Sequence, residues 1–332
     1  MLYRLSMLKR LNKCFLTLKV SLRQLFIFSV LIALSMAAQS ASPEHNILIT
    51  YQNSPGLLHG FSQQLINNLQ KNIVRAGFKT HLLTLDPDNL ETQKLNGYPL
   101  IIAVGSNATR ALLSADINTP ILSVLMPRHL AEKLRKQYPK RKNWSSLLID
   151  QPVERQFHLI TSITGRPQKT GVLIGPYTKY LKKSLKKSAK KSRHTLTTRY
   201  VKNAEELTKS LKALARKSNI LLTLPDPVIY NKNTIRGILL LSYRKKLPVI
   251  GFSKAYVKAG AIAAVYSQPN QISKQTISII KRFFKKHFFK RKEYHPKNFS
   301  VALNKKVARS LGISLPEKSL IIKRIKLAEK HK

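Results

Sequence analysis

The chain has 332 residues, of which 43% are hydrophobic, with 60 Lys and Arg against 14 Asp and Glu and a single cysteine. That length and apolar content suit two domains with packed cores rather than a disordered chain, and the lone Cys14 excludes a disulfide framework. A net charge of +46 invites a polyanionic counter-surface. Residues 1–41 open the chain with Arg4, Lys9, Arg10, Lys13, Lys19 and Arg23, followed by an apolar run over Leu25–Leu34 and small residues up to Ala41. Positive, apolar, small is the order of a secretory signal, and the run is shorter than the roughly 20 residues that span a bilayer. Cleavage is expected between Ala37 and Ala41. Cys14 precedes the apolar run, so it departs with the signal and serves neither as a lipid anchor nor as a thiolate ligand. Export argues against nucleic acid as the partner of the remaining 54 basic residues. An anionic envelope surface or an acidic protein is one reading of that charge; lysine written on every solvated face is the other.

After the signal, strand and helix patterns alternate. Asn46–Tyr51 reads as a strand, followed by a turn at Asn53-Ser54-Pro55-Gly56. A helix then carries Phe61, Leu65, Ile66, Leu69, Ile73 and Val74 at three- and four-residue spacing and stops at Gly77. Thr80–Leu85 is a strand, Asp86-Pro87-Asp88 opens a short helix, and Pro99–Gly105 is an evenly apolar strand of the kind buried on both faces. Helix 106–113, strand 120–125, helix 129–137, strand 145–149 and helix 150–163 complete the first series. The second series runs strand 169–175, helix 179–192, strand 195–201, helix 204–216 and strand 220–224. A helix opened by Pro225-Asp226-Pro227 follows, then strands 248–252 and 261–266, helix 271–284, strand 300–303 and helix 305–311. Short loops between alternating elements predict α/β folding on parallel sheets. Two series of similar size predict two doubly wound lobes, whose strands carry ligand sites off their carboxyl ends.

Constellations for chemistry are missing. The nine histidines show no HxH or HxxxH pair, and zinc needs converging ligands. The chain has no GxSxG elbow, no phosphate loop, and few acids for paired-carboxylate work, so no enzyme, metal or cofactor is expected. Gly105-Ser106-Asn107-Ala108 links a buried strand to a helix; its backbone N–H groups either hold an anion or form an ordinary capped turn. Asp226 between two prolines reads either as a helix N-cap or as a carboxylate at the mouth of a cleft. Tyr177 and Ser253 occupy matching positions after strands ending at Gly175 and Gly251-Phe252. Lys182, Lys183, Lys186, Lys187, Lys190 and Lys191 share one face of a helix whose other face carries Leu181, Leu185 and Ala189. Phenylalanines interleave with basic residues over 281–292, which core-facing Phe on a basic helix explains.

Four stretches of the second half resemble the ABC transporter substrate-binding protein family, whose characterised members include tryptophan- and tyrosine-binding lipoproteins. They are Ile220–Pro227, Leu247–Ser253, Val257–Ala264 and Phe299–Gly312; in the first half the match is chiefly Ala103–Ala108. The resemblance implies a type I periplasmic-binding fold hinged near residues 165 and 255–265. Its lobes are then 42–165 and 166–255, with 256–332 returning to the first lobe as a basic tail. It implies binding roles for Ser106, Asn107, Tyr177, Asp226 and Ser253 toward a small ligand such as an amino acid. Two departures are Met126-Pro127-Arg128, where members commonly carry Asp-Pro, and the absence of a lipobox. The function expected is that of a monomeric periplasmic binding protein serving an ABC importer through an inner-membrane permease. The alternative is a sensor or accessory protein of the same fold that signals to a membrane receptor.

Overall fold

The computed structural model describes residues 45–52, 59–86 and 92–330. The expected signal over 1–41 with Cys14, the turn at 53–56 and the helix start at Pro87-Asp88 lie outside the described residues.

Among the described residues twelve strands form two six-stranded sheets. The first lobe contains β1 (Asn46–Tyr51), α1 (His59–Arg75), β2 (Lys79–Thr84), α2 (Thr92–Asn96), β3 (Leu100–Val104), α3 (Ser106–Ser114), β4 (Ile121–Met126), α4 (Arg128–Gln137) and β5 (Trp144–Leu148). The second contains α5 (Val153–Thr164), β6 (Lys169–Ile174), α6 (Lys182–Lys191), β7 (Thr195–Tyr200), α7 (Glu205–Ala215), β8 (Ile220–Leu222), α8 (Ile235–Arg244), β9 (Val249–Gly251), α9 (Lys254–Ala259) and β10 (Ala263–Tyr266). The chain then returns to the first lobe for α10 (Pro269–Lys286) and β11 (Glu293–Tyr294), and ends in the second with β12 (Ser300–Leu303), α11 (Lys305–Ser310) and α12 (Lys318–Lys330).

The sheet orders are β2-β1-β3-β4-β5-β11 and β7-β6-β8-β9-β10-β12. Every described pairing is parallel except β10 with β12. Both orders reverse direction after their second strand, so each sheet has a switch point, between β1 and β3 in one and between β6 and β8 in the other. The evenly apolar β3 is buried at all five residues, because helices cover both faces of a parallel sheet. The expected α/β architecture of two doubly wound lobes is therefore present.

Three segments join the lobes: 149–152, 267–268 and 295–299. The family resemblance implies crossings near 165 and 255–265. The first comes earlier because the apolar face of α5, with Phe157, Ile160 and Ile163, packs into the second lobe's core with Val172 and Leu222. The second comes later because β10 pairs with β9 before the chain leaves. Only α10 and β11 rejoin the first lobe: α10 lays Ile272, Ile279, Ile280 and Phe283 against Leu65, Leu69 and Ile73 of α1. The stretch read as a basic tail is instead helical, and α12 buries Ile321 and Ile325 in the second lobe's core.

Arg155 is the bolt of these crossings. It is 4% exposed and donates to Glu329 Oε1 at 2.6 Å and Oε2 at 3.0 Å, to Gln151 Oε1 at 2.8 Å and to the Pro296 carbonyl at 2.9 Å. Its guanidinium stacks 4.5 Å from the Phe299 ring. Gln151 in turn donates to Ser267 Oγ at 2.9 Å, and Ser267 donates to the Asn298 carbonyl at 2.8 Å. Residues of all three crossings and of α12 thus share one hydrogen-bonded cluster. A buried bidentate arginine–carboxylate pair of this kind is directional as well as charged.

Candidate functional site

Parallel strands in a doubly wound sheet end beside a crevice, deepest where the strand order reverses. In the first lobe that point is the end of β1 and of β3. Gly105 follows β3 with φ of 88°, a conformation that glycine adopts without a Cβ penalty, and α3 begins at the next residue. The turn is fixed from beneath: Trp144 Nε1 donates to Ser123 Oγ at 2.8 Å, Thr109 Oγ1 lies 2.9 Å from Ser123 Oγ, and Gly105 N donates to the Val124 carbonyl at 2.9 Å. Ser106 and Asn107 therefore sit at the amino end of a nine-residue helix whose N-cap supplies no side-chain acceptor. Amide groups in that position favour anionic ligand atoms.

In the second lobe the switch point is the end of β6 and of β8. Asp226 follows β8 and is 1% exposed. Its Oδ2 accepts from Tyr177 N at 3.0 Å and from Thr178 Oγ1 at 2.9 Å, and its Oδ1 accepts from Val228 N at 3.1 Å. The carboxylate thus lies beneath the surface and fastens the loop after β6 to the loop after β8. The close approach depends on Gly175, where a Cβ would stand 2.6 Å from Asp226 Oδ2. Tyr177, held by its backbone, is 42% exposed. The helix expected to begin at Pro225-Asp226-Pro227 begins at Ile235 instead. Between them Asp226, Asn231 and Thr234 bond side chain to backbone, which offers the chain turns in place of a helix. Ser253 caps α9, accepting from Tyr256 N at 3.2 Å. Behind it Tyr230, Phe252 and Tyr256 pack ring on ring, Phe252 and Tyr256 at 4.8 Å.

Of the five residues selected from sequence, Tyr177 and Asp226 are joined by a hydrogen bond. Ser106 and Asn107 hold the opposite lobe's switch point, and Ser253 stands one strand away, off the end of β9. What the sequence reading missed is the pair of side chains that meets them from the first lobe. His129 lies edge-on to Tyr177, ring centroids 5.2 Å apart at 77°, and Arg128 lies 5.6 Å from the centre of the Tyr180 ring. Both follow β4, where the chain reads Met126-Pro127-Arg128. The sequence carried two signals for them: both lie off the carboxyl end of a strand, and Arg128 falls in the stretch that departs from the family's Asp-Pro. Burial lowers the His129 pKa, an effect that the charge of Asp226 opposes; the neutral ring can donate or accept one hydrogen bond.

Arg128 also ties the site to the first crossing. Its backbone N donates to Asp150 Oδ2 at 2.7 Å and its side chain pairs with Glu132 at 3.1 Å. Burial raises the Asp150 pKa to about 6, against the hydrogen bond from Arg128 and the Arg128 charge. The arrangement offers amide donors on one wall, an exposed aromatic ring and an imidazole where the walls meet, and a cation behind them. Among the described residues no group of three His, Cys, Asp or Glu side chains gathers to hold a metal ion, and no helix is long and apolar enough to cross a membrane.

The family model described as ABC transporter substrate binding protein matches residues 62–326. No curated protein matches the chain in sequence. Among solved structures, a conserved domain protein from Vibrio cholerae is 23% identical with a TM-score of 0.57, covering 85% of this chain and 98% of its own. An ABC domain from Streptococcus pneumonia in complex with L-Trp is 20% identical with a TM-score of 0.56 and the same coverage of 85% and 98%. The ligand-free, open CD0873 from Clostridium difficile, a substrate binding protein with adhesive properties, is 16% identical with a TM-score of 0.64, covering 82% and 96%. At these identities the likeness is one of fold.

Proposed function

Because the chain belongs to the ABC transporter substrate binding protein family, we propose that it is the exported, periplasmic binding component of an ABC-type importer, capturing a small ligand between its lobes without chemical change. The observation that carries the reading is the contact of Tyr177 with His129, which pairs a residue off β6 with one off β4 where both sheets present their strand ends. A ligand seated there touches both lobes, and it favours a closed form only through contacts made better in that form. An amino acid is the proposed ligand class: the amide groups at Ser106 and Asn107 suit a carboxylate, and the exposed Tyr177 ring suits an apolar or aromatic side chain. The Streptococcus protein of the same fold holds L-Trp, which supports the choice. Asp226 enters as the residue that sets the Tyr177 backbone, and Ser253 as a helix cap at the rim.

Thermal unfolding of the purified protein with each of the twenty L-amino acids at 1 mM tests the reading. One or a few should raise the melting temperature, since a ligand at 100 Kd adds about 2.7 kcal/mol, and Tyr177→Ala should remove the shift. No shift from any of them, or one unaffected by Tyr177→Ala, is the result that defeats the amino-acid assignment. Transport is separated from sensing by the partner. An importer component stimulates its permease–ATPase in vesicles when ligand is added, whereas a sensor binds a receptor instead.

A further inference from the structure

A second concavity lies away from the meeting point of the lobes. It has a volume of about 620 Å³ and is framed by α9, β12 and the starts of α11 and α12. Its lining includes Lys254, Lys258, Lys305, Lys306 and Lys318, all exposed. The single acid in the lining is Glu317, which pairs with Lys305 at 3.1 Å. Beside the ammonium groups the lining carries Tyr266, Ala302 and Leu303, each half-buried, together with Gln268 and Asn304, while Val257 and Val301 are buried. These lysines come from three separate helices, so the clustering is tertiary rather than a run in the sequence. Lys254 and Lys258 share a face as an i, i+4 pair on α9, with the start of α11 and the start of α12 supplying the rest.

We propose that this lysine-rimmed cavity binds an amphiphilic anion, a molecule with a phosphate or carboxylate headgroup and an apolar tail. Like charges held together repel, and a multivalent anion relieves that repulsion as no neutral ligand can. The half-buried apolar side chains add a contribution that a bare anion cannot collect, about 0.8 kcal/mol for each CH₂ buried. None of these residues belongs to the site between the lobes, so the two can be filled independently.

The test is calorimetric titration with dodecyl phosphate below its micellar concentration. Salt at 300 mM shortens the screening length to about 6 Å and suppresses diffuse attraction to the rest of a basic chain. Dodecyl phosphate should bind at least tenfold more tightly than inorganic pyrophosphate, which lacks the tail, and than dodecyl maltoside, which lacks the charge. Lys254→Glu with Lys258→Glu, and separately Lys306→Glu with Lys318→Glu, should each weaken it tenfold or more. Lys182→Glu with Lys186→Glu on α6 makes the same change in net charge at a distant face and should weaken it less than twofold. Equal weakening by the α6 pair assigns binding to diffuse charge and overturns the proposal. Pyrophosphate binding as tightly as dodecyl phosphate overturns it as well, as does binding that survives both cavity variants.

Discussion

Asp226 is where the residue scale decides most. Three donors converge on its carboxylate, and all three lose their acceptor in Asp226→Ala. Hydrogen bonds to charged groups contribute about 1.5–3 kcal/mol each and are not additive. The variant is expected to lose about 2–4 kcal/mol of unfolding free energy, read from the denaturant midpoint at constant slope. Gly175→Ala forces a Cβ against Asp226 Oδ2 at 2.6 Å and should cost about 1–3 kcal/mol by overpacking. Because both changes break one contact, the double variant should cost less than the sum; full additivity would mean that the two act separately. His194 gives a pH dependence of known sign. Its Nδ1 accepts from Gln168 N at 3.2 Å, and its Nε2 lies 2.9 Å from Thr161 Oγ1. Burial lowers its pKa to about 4. The folded protein therefore resists taking a proton that the unfolded chain accepts near pH 6.5. The stability contributed by the neutral ring is present above pH 6.5 and is lost as the pH falls toward 4, by on the order of 2 kcal/mol. His194→Gln should flatten that limb of the stability–pH curve.

At the scale of elements, the crossings are the part of the molecule with the most at stake. Arg155→Ala removes a buried cation from three chain segments and leaves the Glu329 carboxylate without its partner. Breaking one side of a buried pair costs about 3–5 kcal/mol, so the variant should unfold at lower denaturant and show faster amide exchange in α12 and at 295–299. Asp150, in the first crossing, has a folded pKa raised to about 6. Its sign is opposite to that of His194: its contribution is complete below the unfolded value near 4 and is lost as the pH rises through 6. Asp150→Asn should remove that dependence. The α10 helix shows how far periodicity serves at this scale. Phe283 is buried and Phe284 stacks 5.2 Å from Phe78, but the helix ends at Lys286 with His287 in the left-handed region, so Phe288 and Phe289 do not lie on the basic helix expected there; Phe289 packs 4.7 Å from Phe283 and Phe288 is 60% exposed. Val74 is 60% exposed although it lies within the apolar spacing of α1. Residues 65, 66, 69 and 73 complete the stripe that α10 covers, and Val74 falls one position beyond it.

For the whole molecule the dominant quantity is charge. A net charge of +46 on 332 residues stores self-repulsion in the compact state. The lysines of α6 contribute to it: all six are exposed, and among the described residues only Lys191 has an acid within 4.0 Å, Glu154 at 3.1 Å. Raising NaCl from 20 to 200 mM shortens the screening length from about 20 Å to about 7 Å. The melting temperature is therefore expected to rise with salt, by several degrees over that range. A flat or falling dependence would show that anions already bound to the surface neutralise it.

The order of elements was legible in the sequence because strand and helix periodicities are local, and because buried parallel strands such as Leu100–Val104 leave an unbroken apolar run. The loops that would carry a ligand were legible for the same reason, since each follows a strand: Ser106, Asn107, Tyr177, Asp226 and Ser253 all lie where such loops begin. What each side chain does there was decided by tertiary structure. Whether Asp226 faces a ligand or a neighbouring loop depends on how far β6 lies from β8, and the spacing of Pro225 and Pro227 carries no trace of that distance. His129 and Tyr177 stand 48 residues apart in sequence, and only the juxtaposition of two lobes makes them partners. The first crossing comes earlier than the resemblance implies because α5 has an apolar face that fits either sheet on local grounds. Which sheet it covers is settled by packing across the chain, at Arg155, Pro296 and Glu329, where no sequence pattern joins the parts.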